Sequence, residues 1–370
     1  MSSSLPAELI RKEIAALPTY NAGLAMDRFR EIYGLDCLAK LDSNESPLGA
    51  SPAAIAAMQA QAPGIARYPD AGNAALRAQI AESCDTTPAK VIIGNGSEDL
   101  IGALFRATLR DGDHVVTICP SFGLHEFGAL ACGARVTKVP FAADWRFPLS
   151  GLRDAMKEPT RILIFASPSN PAGPAICEKD FRALLDFTPQ DTFIAFDEAY
   201  LEYVAQEQRF DAMAILARSG HAWIVLRTFS KAYGLAGIRV GYGIASDEEL
   251  IKALMKTRNP FGVNALAVAA AREAFDDRAH LAEVIALAAS ERQRVGTALR
   301  KMGYDCAPSQ TNFIFFDTGA LAVDFAEALR GKGILIKAWL EEPFGHWARV
   351  TIGTPAENDA FLAAVPERES

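Results

Sequence analysis

Between residues 90 and 245, short apolar runs that end at glycine, proline or a small polar cluster alternate with stretches where apolar residues return every three or four positions. An unbroken apolar run suits a strand buried on both faces, and the three-to-four return marks one face of a helix. The runs predict strands over 90–93, 114–118, 135–139, 161–166, 192–196, 222–226 and 240–244, and helices over 74–84, 98–109, 124–131, 178–187 and 210–217. Strand and helix taking turns is the signature of a mainly parallel sheet covered by helices, so the expected fold class is α/β with a seven-stranded sheet.

From residue 265 the pattern changes to one long alanine-rich helical stretch reaching 302, then a strand over 311–316, a helix over 323–329 and strands over 333–337 and 347–352. This order suits a smaller α+β domain. The expected division is a large domain over 36–265 and a small one over 266–370, joined by an N-terminal segment, 1–35. No repeat, low-complexity tract or flexible linker interrupts the chain, which makes the long helix the expected hinge.

Half of the 370 residues are apolar, enough for one sizeable core and a second smaller one. The 45 acidic against 37 basic residues give a formal charge of -8, which argues against nucleic acid or an anionic membrane as partner. Cys37, Cys84, Cys119, Cys132, Cys177 and Cys306 are scattered without a C-x-x-C pair, as reduced thiols are, and the histidines are equally isolated, so no metal site is expected. Residues 1–20 lack a signal-peptide core and no stretch is long enough to span a bilayer, giving a cytoplasmic, soluble protein as the expectation.

Chemistry concentrates after the expected strands. Asp197 closes the run Phe193-Ile194-Ala195-Phe196, at the carboxyl end of a strand, where α/β sheets hold their ligands. Lys231 lies between another apolar run and Gly234-Leu235-Ala236-Gly237, so its amine is presented from a loop at the same edge. A lysine amine condenses with an aldehyde cofactor, and a carboxylate facing a pyridine nitrogen keeps that nitrogen protonated. Tyr200 and Asn170, in the turn Ser167-Pro168-Ser169-Asn170-Pro171, could both hydrogen-bond a phenolic oxygen, and Phe122 could stack on the ring. Gly94-Asn95-Gly96-Ser97-Glu98, at a strand-to-helix turn, makes a phosphate cup to which Ser230 and Arg239 add a hydroxyl and a forked cation. Blander readings stand beside each: Asp197 as a helix cap, Lys231 as a surface amine, Asn170 as an ordinary turn residue, and Gly94–Glu98 as part of a dinucleotide site, although the third glycine of G-x-G-x-x-G is missing.

Together with Leu41–Gly49, Arg67-Tyr68-Pro69-Asp70, Thr311-Asn312-Phe313 and Arg349–Gly353, these segments resemble, in order along nearly the whole chain, the fold-type I aminotransferases and more narrowly the histidinol-phosphate aminotransferase family. The resemblance implies a pyridoxal 5'-phosphate enzyme: Lys231 covalently linked to the cofactor aldehyde, Asp197 on the pyridinium, Asn170 and Tyr200 on the phenolic oxygen, Phe122 over the ring, and Ser97, Ser230 and Arg239, with Gly96 and Glu98, on the phosphate. Tyr68 would reach the cofactor phosphate of a neighbouring subunit, implying a homodimer. Arg349, Asn44, Tyr20 and Lys337 would bind the substrate, an amino acid or amino phosphate exchanging its amino group with 2-oxoglutarate. Two positions depart from the family: Lys337 stands where an arginine is common, and His125 where tyrosine is frequent. The amine thus stays open between histidinol phosphate and an aromatic amino acid, with a decarboxylase of a phosphorylated amino acid as another enzyme and a non-catalytic cofactor-binding regulator as a different class.

Overall fold

The computed structural model describes residues 9–19, 21 and 23–368. Eleven strands run in chain order as β1 (Ala39–Leu41), β2 (Val91–Gly94), β3 (His114–Cys119), β4 (Arg135–Pro140), β5 (Ile162–Ala166), β6 (Phe193–Asp197), β7 (Trp223–Thr228), β8 (Gly241–Ala245), β9 (Phe313–Asp317), β10 (Ile334–Ala338) and β11 (Trp347–Thr351). Seven of them form one sheet in the order β2-β8-β7-β6-β5-β3-β4, and β1-β10-β11-β9 form a second. In the large sheet β8 alone runs against its neighbours β7 and β2; the other pairings are parallel. Strands β3, β5 and β6 are buried at every residue. Their side chains face helices on both sides, which is why the sequence shows runs rather than alternation.

The carboxyl ends of these strands fix the site. β2 ends at Gly94 before the helix Ser97–Thr108, β3 at Cys119 before Gly123–Ala131, β6 at Asp197 itself and β7 at Thr228 just ahead of Lys231. Because β8 is antiparallel, it starts at this same edge, which brings Arg239 beside Lys231.

The smaller sheet has its own core, with Leu41, Val295, Phe316, Ile336 and Phe361 among its buried residues. β1 joins it in parallel with β10, with Ala39 opposite Ile334 and Leu41 opposite Ile336, so the chain entering at 42–45 passes directly from the small sheet into the cleft. The single helix expected over 265–302 is instead two, Ala265–Asp276 and Arg278–Lys301. Asp277 separates them by accepting from the backbone N–H of His280 at 3.0 Å, the bond of a helix N-cap, and a residue in that role leaves helical geometry. No helix among the described residues is long and apolar enough to cross a membrane.

Candidate active site

A cavity of about 660 Å³ opens between the two sheets, and its walls include Asp197, Tyr200, Lys231, Ser230, Arg239, Asn170 and Arg349. Lys231 donates to the carbonyl of Ser43 at 3.2 Å, and its amine lies 5.8 Å from the centre of the Tyr200 ring. Burial, reinforced by the positive charge of Arg349 and less by Arg239 and Lys40, brings its pKa from 10.5 down to about 7, with Glu45 opposing. A neutral amine is therefore present at neutral pH, as a nucleophile or proton carrier requires. Gly234, three residues on, has φ +69°, and any Cβ there would collide with the Gly49 carbonyl. That close approach packs the lysine loop onto the segment following Asn44.

Asp197 is 4% exposed. One carboxylate oxygen accepts from the backbone N–H of Ala199 at 3.0 Å and the other lies 3.2 Å from Nε2 of His125, whose Nδ1 is 3.2 Å from the Ser121 hydroxyl. The carboxylate is thus fixed from both sides, its buried lone pairs partly satisfied within the protein. Phe122, which precedes the same helix as His125, lines the cavity and meets the imidazole edge to face at 5.6 Å.

Above Lys231, the Ser97–Thr108 helix starts with Gly96 at φ +80°, a conformation natural to glycine. A Cβ at Gly96 would collide with the Arg239 guanidinium, and one at Gly241 with the Ser97 amide. The two backbones and Arg239 therefore converge too tightly for larger residues. Arg239 donates from Nη1 to the Ser230 hydroxyl at 3.3 Å and lies 3.6 Å from Glu98, whose side chain is more than half exposed. A helix N-terminus, two serines and a guanidinium form an anion-binding cup.

The opposite wall comes from the small sheet. Arg349 is buried and donates to Asn170 Oδ1 at 2.7 Å and to the Asp42 carbonyl at 2.6 Å. Lys337 faces it as the paired residue across the β10–β11 ladder and donates to the Asn21 carbonyl at 2.7 Å. Burial and the Arg349 charge lower the Lys337 pKa to about 8. Asn44 donates to the Tyr200 hydroxyl at 2.8 Å and its own oxygen accepts from Thr351 at 3.1 Å, tying the large and small sheets together at the cleft.

Of the residues singled out from the sequence, Asn44, Ser97, Glu98, Phe122, Asn170, Asp197, Tyr200, Ser230, Lys231, Arg239, Lys337 and Arg349 line this one cavity. Gly96 lies behind it, shaping the cup. Tyr68 stands apart, 81% exposed and stacked on Phe261 at 4.5 Å. Tyr20 lies outside the described residues. The sequence reading passed over Thr351 and Asn312, which brace Asn44, and the rim residues Glu126, Lys138, Trp339 and Glu341. Asn312 and Thr351 both lay within segments already noted, Thr311–Phe313 and Arg349–Gly353; the rim residues carry no local pattern.

The sequence profile of the class I and II aminotransferases matches residues 38–365. The chain is 43% identical to histidinol-phosphate aminotransferase 1 of Mesorhizobium japonicum, over 98% of this chain and 99% of that relative. It is 36% identical to the histidinol-phosphate aminotransferase of Bacillus subtilis, over 97% and 99%. Among solved structures, the histidinol-phosphate aminotransferase of Sinorhizobium meliloti in complex with pyridoxal-5'-phosphate superposes with a TM-score of 0.89 at 31% identity, covering 98% of both chains. A buried reactive lysine, a strand-end aspartate and an anion cup in one cleft, with this likeness over nearly the full length, place the chain in the class I and II aminotransferase family.

Proposed function

We propose that the chain is a pyridoxal 5'-phosphate-dependent transaminase that exchanges an amino group between glutamate/2-oxoglutarate and histidinol phosphate. The observation that carries it is the Lys231 amine, lowered to about 7 inside a cavity that also holds Asp197 and the Ser97–Ser230–Arg239 cup. The cofactor fits the residues present: the cup, closed to any side chain at Gly96 and Gly241, suits its phosphate, and the buried carboxylate of Asp197 suits its pyridinium. When bound, the group supplies an aldehyde carbon and an electron-accepting ring.

The chain's own residues do the rest. Asp197, held by His125 and Ala199, would keep a proton on the ring nitrogen. Tyr200 and Asn170 would serve the phenolic oxygen, and Phe122 would be the residue against the ring. Ser97, Ser230 and Arg239 would hold the phosphate, with Gly96 shaping the cup and Glu98 offering its backbone N–H from the first helical turn. With its amine neutral near pH 7, Lys231 would be the group that carries a proton to and from the substrate α-carbon. Arg349 grips an anionic group of the substrate through its fork, with Asn44, Tyr20 and Lys337 around it. Tyr68, exposed and outside its own cavity, serves the partner's cofactor in a homodimer. The chain divides into a large cofactor domain over 36–265, of which β1 pairs into the small sheet, and a small domain over 266–370 joined by 1–35, in a cytoplasmic protein with neither nucleic acid nor membrane as partner.

The single amine of Lys337 at the substrate anion favours a second reading, an aromatic amino acid as donor. The test is a donor panel of histidinol phosphate, phenylalanine, tyrosine and aspartate with 2-oxoglutarate, on wild type and Lys231→Ala. Ping-pong kinetics and loss of turnover in the variant are expected. Histidinol phosphate ranking far below phenylalanine overturns the named donor, and carbon dioxide release from an amino-acid donor without glutamate formation overturns transamination.

A further inference from the structure

At the mouth of the cavity one ammonium bridges both halves of the molecule. Lys138, on the edge strand β4, donates to Glu126 of the helix Gly123–Ala131 at 3.1 Å and to Glu341, beyond β10 of the small sheet, at 3.0 Å. The same Glu341 oxygen accepts from the Cys119 thiol at 3.3 Å, and its other oxygen accepts from the Trp339 indole at 3.2 Å. Burial and the Glu341 charge push the Cys119 thiol up to about 12, so it stays a donor. Burial alone would lower the Lys138 pKa, but the two carboxylates raise it, so the bridge stays charged. Glu341 thus collects three donors, two from the large sheet and one from its own loop, and Trp339, Leu340 and Glu341 line the same cavity as Phe122 and Glu126.

We propose that the Lys138–Glu341 bridge positions the Trp339–Glu341 loop as a specificity wall for the ring-bearing amine donor. The inference rests on the transaminase reading. Lys337 near the end of β10 and Arg349 opposite it on β11 would hold the substrate anion, so a compact dicarboxylate is bound without the wall. A donor carrying a ring extends toward the mouth and packs on it. Lys138 and Glu341 are positioning residues, acting through the loop rather than on reacting atoms.

The two half-reactions of a ping-pong enzyme can be timed separately on the holoenzyme, which gives the test. In Glu341→Gln and in Lys138→Met, kcat/KM for the ring-bearing donor is expected to fall about tenfold, while kcat/KM for 2-oxoglutarate stays within about twofold. Lys138→Arg should restore the donor half-reaction, and the double variant should be no worse than either single one, since both remove the same bridge. Equal losses in both half-reactions, or no loss in either, overturn the proposal. The donor is assayed as both histidinol phosphate and phenylalanine: inactivity of wild type on the first alone overturns the donor assignment, and the wall is then judged on the second.

Discussion

Nε2 of His125 lies 3.2 Å from a carboxylate oxygen of Asp197, and both side chains are shielded from solvent. A carboxylate only accepts, so this imidazole carries a proton on Nε2, and in the neutral ring Nδ1 accepts from the Ser121 hydroxyl. Removing one partner of a buried hydrogen bond costs about 1–3 kcal/mol, roughly a factor of 5–150. His125→Phe is therefore expected to weaken cofactor retention and kcat by about five- to 150-fold, with His125→Asn, which keeps an N–H donor, falling between. Equilibrium dialysis of the cofactor and steady-state rates check this; a His125→Phe protein with wild-type values would remove the histidine from the ring-nitrogen machinery.

Lys231 sets a pH dependence that can be read without substrate. Its pKa is depressed from 10.5 to about 7, so the amine is protonated and unreactive below that value and neutral and nucleophilic above it. Capture of pyridoxal 5'-phosphate by the apoprotein, trapped by borohydride and located by peptide mass mapping, should accelerate as pH rises through about 7 and then level off. A profile still climbing toward pH ~10, as an ordinary lysine would give, contradicts the buried amine.

Much of this cleft was legible because its residues follow long apolar runs. Asp197 closes β6 and Lys231 follows β7, whose burial on both faces leaves an unmistakable pattern, and α/β sheets put ligands at such strand ends. Less visible was whatever depends on distant pairing. β1 is only three residues long and makes sense only against β10, near residue 334. The break at Asp277 was hidden because Ala274 and Leu281, two helical turns apart, keep the helical return across it, and the cap bond shows it. His125 and Asp197 are 72 positions apart and Lys138 and Glu341 are 203 apart, and no local periodicity encodes either meeting.

Lys337 substitutes a titratable cation for a permanent one. With its pKa lowered to about 8 by burial and Arg349, its charge is full below that pH and lost above it. Since kcat/KM reports groups in the free enzyme, its value for an anionic donor should decline as pH rises through about 8, and Lys337→Arg should remove the decline. Superimposable profiles for the two proteins would detach Lys337 from the substrate anion.

Gly96 is the narrowest point of the phosphate cup. Alanine there suffers at φ +80° and drives its Cβ into the Arg239 guanidinium. Gly96→Ala is expected to raise the dissociation constant for pyridoxal 5'-phosphate at least about tenfold, by displacing the arginine's charge-assisted bonds. Binding of pyridoxal, which lacks the phosphate, should change much less. Equal losses for both ligands would mean that the substitution damages the fold rather than the cup.

Tyr68 and Phe261 stack at 4.5 Å although they are 81% and 46% exposed. Exposed aromatic pairs are costly to leave in water and are common at interfaces. If Tyr68 completes the partner's site, Tyr68→Ala and Lys231→Ala each cripple an otherwise intact dimer, but in different ways. A hybrid dimer of the two contains one site with the Lys231 of the first variant and the Tyr68 of the second, and therefore one whole site. Mixing the variants under conditions of subunit exchange should thus restore activity to about a quarter of wild type, because random pairing makes half of the dimers hybrid and each hybrid has one good site of two. A Tyr68 acting within its own subunit gives no recovery, since every site in the mixture then keeps one defect.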